Sequence, residues 1–224
     1  QIAAVALILD YVVTLAIQSA AGVAAIISTF PELDPWKVEM TLAVIVLLTY
    51  GNLRGVKEAG KAFALPTYFF VGSMAIVFIV GIYRDIVGTL PTLSTDVEGA
   101  IPFGSEQGLL TFAAIFTLLR AFANGGSSLT GLEAISDGVM LFKTPEQVNA
   151  RRTLIVMSSI LGTLVLGVSW FAHRIYALPY EGGTPTVISQ IAKAVLGDGA
   201  IGNIFFILVQ AATMLILFAG ANTT

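Results

Sequence analysis

Asp10, Thr14 and Gln18 recur every four residues in a stretch otherwise built from Ala, Val, Ile and Leu, and Tyr11 stands beside the first of them. On a helix of 3.6 residues per turn this spacing keeps the three within about 80° of one another. Thr14 and Gln18 read equally as a polar contact that hydrogen-bonds a neighbouring helix, whereas a carboxylate in hydrocarbon, Asp10, needs a stronger reason than packing and points to function. A second set follows further along. Asn124, Gly125, Gly126, Ser127 and Ser128 interrupt an apolar run, and Thr130, Gly131 and Glu133 come just behind. Where a membrane helix breaks, the carbonyls ending its first half carry partial negative charge, and the N-terminus of its second half carries partial positive charge. A cation fits the first end and an anionic group the second. Thr130, Glu133 and Asp137 share a face of that second half, so a hydroxyl and two carboxylates project toward one place.

The elements that must position these residues are membrane helices. Hydrophobic residues make up 56% of the 224, charged residues 11%, and mean hydropathy is +0.89, whereas a soluble domain carries roughly 25% charge. Six apolar spans are expected: Gln1 to Thr29, Val38 to Leu53, Phe63 to Tyr83, the broken Leu109 to Phe142, Thr153 to Tyr176, and Ile201 to the end. All read as helices, because barrel strands would alternate over about ten residues and these runs are continuous. The fold class is therefore all-α, a polytopic membrane helix bundle. Gln1 runs straight into Ile2 and Ala3, and Ala221 to Thr224 still reads as helix. One transmembrane domain over 1–224, cut at both ends from a larger protein, is expected.

Cysteine is absent, which excludes disulfides, thiol catalysis and Cys-based zinc sites. A net charge of -3 leaves no overall basic surface, so nucleic acid is not an expected partner. No nucleophile elbow or phosphate-cradling loop is present in the sequence, and no enzyme activity is expected. Connections carrying Arg54, Lys57, Lys61, Lys143, Arg151 and Arg152 face the cytoplasm by the positive-inside rule, so the first span runs outward. The other set holds Lys37, Arg84, Arg174 and Lys193 among an excess of acids. In it, Gly88 to Gly108 reads as an ordered cap or a mobile loop. Val187 to Leu196 reads as a short amphipathic stretch lying along the membrane surface. Gln210 and Thr213 read as packing polars.

Asp10, Arg120, Glu133 and Asp137 remain inside the spans, where each charge costs about 2.5 to 3.5 kcal/mol on insertion scales. They are expected to face one another, water or a ligand. Two acids four residues apart repel when both are ionised, which favours placing Asp137 near cytoplasmic water. Asp10 and Glu133 are then the leading candidates for ion binding or proton coupling.

Two stretches carry a resemblance: Asn52 to Lys61 (NLRGVKEAGK), and Arg120 through Thr130 and Glu133 to Pro145. They resemble the amino acid-polyamine-organocation (APC) superfamily of secondary permeases, most nearly its bacterial branch of KimA-type potassium importers. Leu9 to Thr14 is similar to that branch's third helix, and Ala221 to Thr223 to its eighth. The resemblance implies a fragment covering the third to eighth helices of a LeuT-like five-plus-five inverted repeat, with Asn124 to Gly131 as the unwound sixth helix. Glu133 is followed by Ala134, where amino acid permeases commonly carry a second acid.

The implied activity is proton-coupled potassium uptake by alternating access across a bacterial cell membrane. Asp10, Tyr11, Thr14, Asn124, Gly125, Thr130, Gly131 and Glu133 would form the substrate or ion site, with Asp10, Thr130 and Glu133 on the potassium ion. No cofactor is implied beyond the transported potassium and proton. The partners are the lipid bilayer, the ion or small-molecule substrate, and a homodimer as the candidate assembly. Two alternatives stay open, a proton-coupled amino acid permease and a non-transporting membrane subunit or sensor.

Overall fold

The computed structural model of the chain describes residues 2–53, 59–101, 112–126 and 138–222. Seven helices are described: α1 (Ile2–Thr29), α2 (Lys37–Leu53), α3 (Ala59–Val87), α4 (Phe112–Gly126), α5 (Glu146–Ile175), the short α6 (Val187–Leu196) and α7 (Ala200–Ala221). A 3-10 segment, Pro31–Trp36, turns the chain from α1 into α2. Helix is what hydrocarbon demands, because it pairs every backbone N–H and C=O within the segment. Four helices are long and apolar enough to cross a membrane: Val5–Thr29, Ala64–Val87, Glu146–Ile175 and Ala200–Ala221. The chain is a multi-pass helical membrane protein.

The polar residues in these helices are mostly satisfied locally. Hydroxyls donate to the carbonyl one turn back, as Ser28 does to Ala24 at 2.7 Å, Ser159 to Ile155 at 2.8 Å and Thr163 to Ser159 at 2.8 Å. Ser159 and Thr163 are exposed on α5, and this bond removes the hydroxyl's demand for a partner helix.

The chain divides into two compact units, one of residues 1–102 with 168–224 and one of 103–167. In the first, α1 packs against α7 and α2, α3 packs against α7, and α6 is wedged against α3 and α7. Glycines set the close approaches. At Gly22 an added Cβ would lie 2.3 Å from the Phe218 ring, so α7 reaches α1 only because that position has no side chain. Gly81 plays the same part against Phe171, with 2.5 Å between an added Cβ and the ring. Phe171 in turn stacks on Phe78, ring centroids 5.6 Å apart. The core follows these contacts: Val23, Ala25, Met74, Val77, Phe171, Ile175, Ile191 and Val209 are buried.

The connections assigned by charge to the outer side meet in this first unit. Leu93 N–H donates to the Ile175 carbonyl at 2.8 Å, Ile101 N–H to Pro179 at 2.8 Å, and Glu181 N–H to Gly99 at 2.9 Å. Residues 88–101 are thus an ordered cap, which resolves that alternative for the described part of the loop. Lys37 donates to the Gly182 carbonyl, and Arg174 pairs with Asp85 at 2.8 Å.

The stretch 187–196 is helical but does not lie on a surface. Ser189, Gln190, Ile191, Ala192, Ala194 and Val195 are all buried. The expectation of an interfacial helix fails because its polar face is used inside the protein. Gln190 accepts from Leu178 N–H at 3.2 Å and donates to the Leu178 carbonyl at 2.7 Å. The Thr186 hydroxyl caps the first turn by accepting from Ser189 N–H at 3.1 Å. At the other end the Arg84 guanidinium donates to the Ala194 and Val195 carbonyls at 3.0 and 2.7 Å and to Thr89 at 2.8 Å. A cation on the last carbonyls of a helix satisfies orphan acceptors and opposes the helix dipole.

The second unit holds α4 and the first part of α5, with a 3-10 turn at Val139–Leu141 between them. Asn149 donates to the Lys143 carbonyl at 2.7 Å and fixes the start of α5. Truncating Phe171, which is 1% exposed, opens a cavity between α3 and α5. Phe171→Ala is expected to cost about 3 kcal/mol, the lower end for a buried phenylalanine, read as a lower midpoint in thermal unfolding of the purified full-length protein.

Candidate functional site

In the first unit α1 carries Asp10, Tyr11 and Thr14 on consecutive turns. Asp10 and Tyr11 are exposed and Thr14 is half-buried. Taking Gln18 as reference, successive 100° steps put Tyr11 at about +20°, Thr14 at about −40° and Asp10 at about −80°. Gln18 and Gly22 both touch α7, through Gly220 and Phe218. Tyr11 and Thr14 therefore continue, toward the N-terminus of α1, the stripe that farther along is covered by α7. The structure brings these three predicted residues onto one side of one helix, and a carboxylate there has an open face.

The second unit holds Asn124 and Gly125 in the last turn of α4, which runs to Gly126. The expected interruption at Asn124 is thus displaced: Asn124, Gly125 and Gly126 are all helical. Helix tolerates such residues at its end, where Gly costs about 1 kcal/mol relative to Ala and that cost is small beside tertiary effects. An added Cβ at Gly125 meets nothing within 4 Å. Close packing against the described residues therefore does not require glycine at 125, in contrast to Gly22 and Gly81. Thr130, Gly131 and Glu133, with Asp137, lie outside the described residues. The chain resumes at Gly138 in a turn leading to Val139–Leu141, where the expected span still ran as helix to Phe142. Arg120 is exposed on α4.

Sequence reasoning passed over two features of the first unit. Gln210, taken as a packing polar, is 2% exposed, and neither of its side-chain polar atoms has a hydrogen-bond partner among the described residues. Thr213 does behave as a packing polar, donating to Val209 at 2.8 Å. The other is a cavity of about 860 Å³ beneath the cap formed by these connections, lined by Ser28, Thr29, Arg84, Gln190, Lys193 and Phe206 among others. Its polar groups are largely spoken for: Arg84 and Gln190 by carbonyls, and Lys193 by Asp198 at 2.9 Å and Asn203 at 2.7 Å.

No family model matches the chain. A curated protein named Potassium transporter KimA, from Bacillus subtilis (strain 168), is 34% identical over 228 residues, an alignment that takes in 99% of this chain. This likeness supports the resemblance to KimA-type permeases of the APC superfamily that the sequence carries. It spans 34% of the length of that relative. The identity runs across both units, so the α1 stripe and the glycine-rich end of α4 both lie inside the KimA-type alignment.

The glycines separate by role, and stability measurements detect the difference. Gly22→Leu must displace Phe218 and is expected to lower the thermal midpoint of the full-length protein. Gly125→Ala meets open space and is expected to leave that midpoint within about 0.5 kcal/mol of the parent or to raise it slightly.

Proposed function

We propose that the chain is part of a potassium importer of the cell membrane, which couples uptake to protons and works by alternating access. The observation that carries this reading is Asp10, an acid on the exposed face of a helix long enough to span hydrocarbon, flanked by Tyr11 and Thr14. The 34% identity to a protein named as a potassium transporter supports it.

The physical argument starts from dehydration. A potassium ion leaving water needs oxygen dipoles to replace its hydration shell, and the number and field strength of those oxygens decide which ion is preferred. Asp10 supplies the compensating charge; Tyr11 and Thr14 supply neutral oxygens one turn apart. In this reading Glu133 is the second acid, and Asn124, Gly125, Thr130 and Gly131 are the remaining candidate residues singled out by the sequence. A carboxylate in a membrane is costly when ionised and alone, so departure of the cation favours protonation. That exchange couples the ion to the proton, with Asp10 or Glu133 as the group that changes state.

Asp10→Asn and Glu133→Gln keep size and hydrogen bonding and remove the charge. Each variant of the full-length protein, expressed in a strain lacking other potassium importers, is expected to lose growth at low potassium and to take up rubidium tracer at background rates. Normal uptake by both would defeat the assignment, and saturable uptake of a labelled amino acid by the parent would replace the cargo.

A further inference from the structure

At about 860 Å³ the cavity beneath the cap falls in the range of small-molecule sites, which runs from about 300 to 1,000 Å³. Every residue lining it belongs to the first unit. Helix α1 reaches it only through Ser28 and Thr29, and Ser28 lies about 27 Å along the helix axis from Asp10. The cavity is therefore separate from the acid-bearing stripe. Its walls are largely apolar, with Leu93, Val97, Leu178, Pro185 and Phe206 among them.

The polar capacity left inside it is distinctive. Ser189 is 3% exposed, and its hydroxyl has no hydrogen-bond partner among the described residues, its backbone N–H alone being taken by Thr186. The unpaired polar atoms without any surface are those of Gln18, Ser19 and Gln210. The Ser189 oxygen thus keeps a surface, and Ser189 lines the cavity. Lys193 follows one turn later on the same face of α6, and its ammonium, paired with Asp198 and Asn203, has one of three donors left. At the end of that helix Arg84 gives three hydrogen bonds to carbonyls, at Ala194, Val195 and Thr89. A guanidinium has five N–H groups to give, which leaves two. Gln190, by contrast, has its amide engaged with Leu178 and Pro185.

Charge points the same way. Arg84 and Lys193 are opposed on the lining by one acid, Asp198, whose side chain is 90% exposed, so the cavity carries one net positive charge. A half-buried guanidinium with unused donors suits a group that accepts two hydrogen bonds and is negative. One surplus charge matches a carboxylate better than a phosphate ester, which carries close to two at neutral pH.

We infer that the cavity beneath the cap binds an organic carboxylate with an apolar body. Arg84 and Lys193 supply the charge, Ser189 a hydrogen bond, and Leu93, Val97 and Phe206 face the body. Such a ligand touches α1, α3, α6 and the 88–101 segment at once, and it stabilises the cap by mass action.

The test titrates the full-length protein, in phosphatidylcholine nanodiscs, with radiolabelled 4-phenylbutyrate in a scintillation-proximity binding assay. Saturable binding is expected, displaced by unlabelled 4-phenylbutyrate and not by the neutral 4-phenylbutan-1-ol at the same concentration. Ser189→Ala removes a hydroxyl that has no partner among the described residues to lose, and is expected to weaken binding about fivefold, the worth of one ordinary hydrogen bond. Val97→Trp, on the exposed cap, fills the cavity and is expected to abolish binding. Absence of saturable binding by the parent overturns the inference, as does equal displacement by the alcohol, or parental affinity in both variants. The readout needs no potassium transport, so its failure leaves the proposed ion site standing.

Discussion

The contact between α1 and α7 is the one on which the first unit depends. Lipid tails are as apolar as Leu, so two apolar helices gain little from water exclusion and must gain from close backbone approach. Gly22 and Gly220 permit that approach: the Phe218 ring occupies the space a side chain at 22 would need, and the Gln18 amide the space a side chain at 220 would need. Ser19, Val23, Ala25 and Ala212 are sealed in the first unit's interior. The same contact defines the candidate site by contrast, since the α1 turns that carry Asp10 and Tyr11 remain uncovered while the turns beyond Gln18 are closed.

Around this contact a cap is assembled from connections distant in sequence. The cap joins residues 88–101, 177–186 and the short helix α6 largely through main-chain donors and acceptors. Arg84 ties the end of α3 to the last turn of α6, and the Arg174–Asp85 pair adds a link between α5 and α3. That ion pair is partly exposed and worth at most about 1 kcal/mol. The carbonyl bonds of Arg84 contribute more to placing α6, because they also satisfy the helix's orphan acceptors.

Much of the fold was legible because hydrocarbon imposes a simple code. Runs of Ala, Val, Ile and Leu near 20 residues long have one stable backbone solution, and α1, α3, α5 and α7 follow it. The location of α6 was not legible. Its amphipathic pattern defines two faces but not what covers each, and the bonds from Gln190 go to the backbone of Leu178 and Pro185, which leave no mark in sequence. Asn124 to Gly126, expected to open the interruption, continue α4, because glycine weakens a helix without having to end it. For the candidate site, period arithmetic placed Asp10, Tyr11 and Thr14 together, since an uninterrupted helix preserves angles. Thr130, Gly131 and Glu133 fall outside the described residues. Sequence also undervalued Gln18 and Gln210, because an amide looks alike whether its hydrogen bonds are met or left open.

The way the cap is stitched has an evolutionary corollary. Its cross-links run between main-chain atoms at Leu93, Ile101 and Glu181, and its turns rest on Gly88, Gly99 and Gly183 at positive φ. Main-chain bonds are indifferent to the side chains hung on them, whereas a lost or gained residue would throw every pairing out of step. Selection on this surface should therefore guard spacing and the turn glycines while letting the remaining letters drift, so that a conserved length is the signature by which kindred caps are aligned.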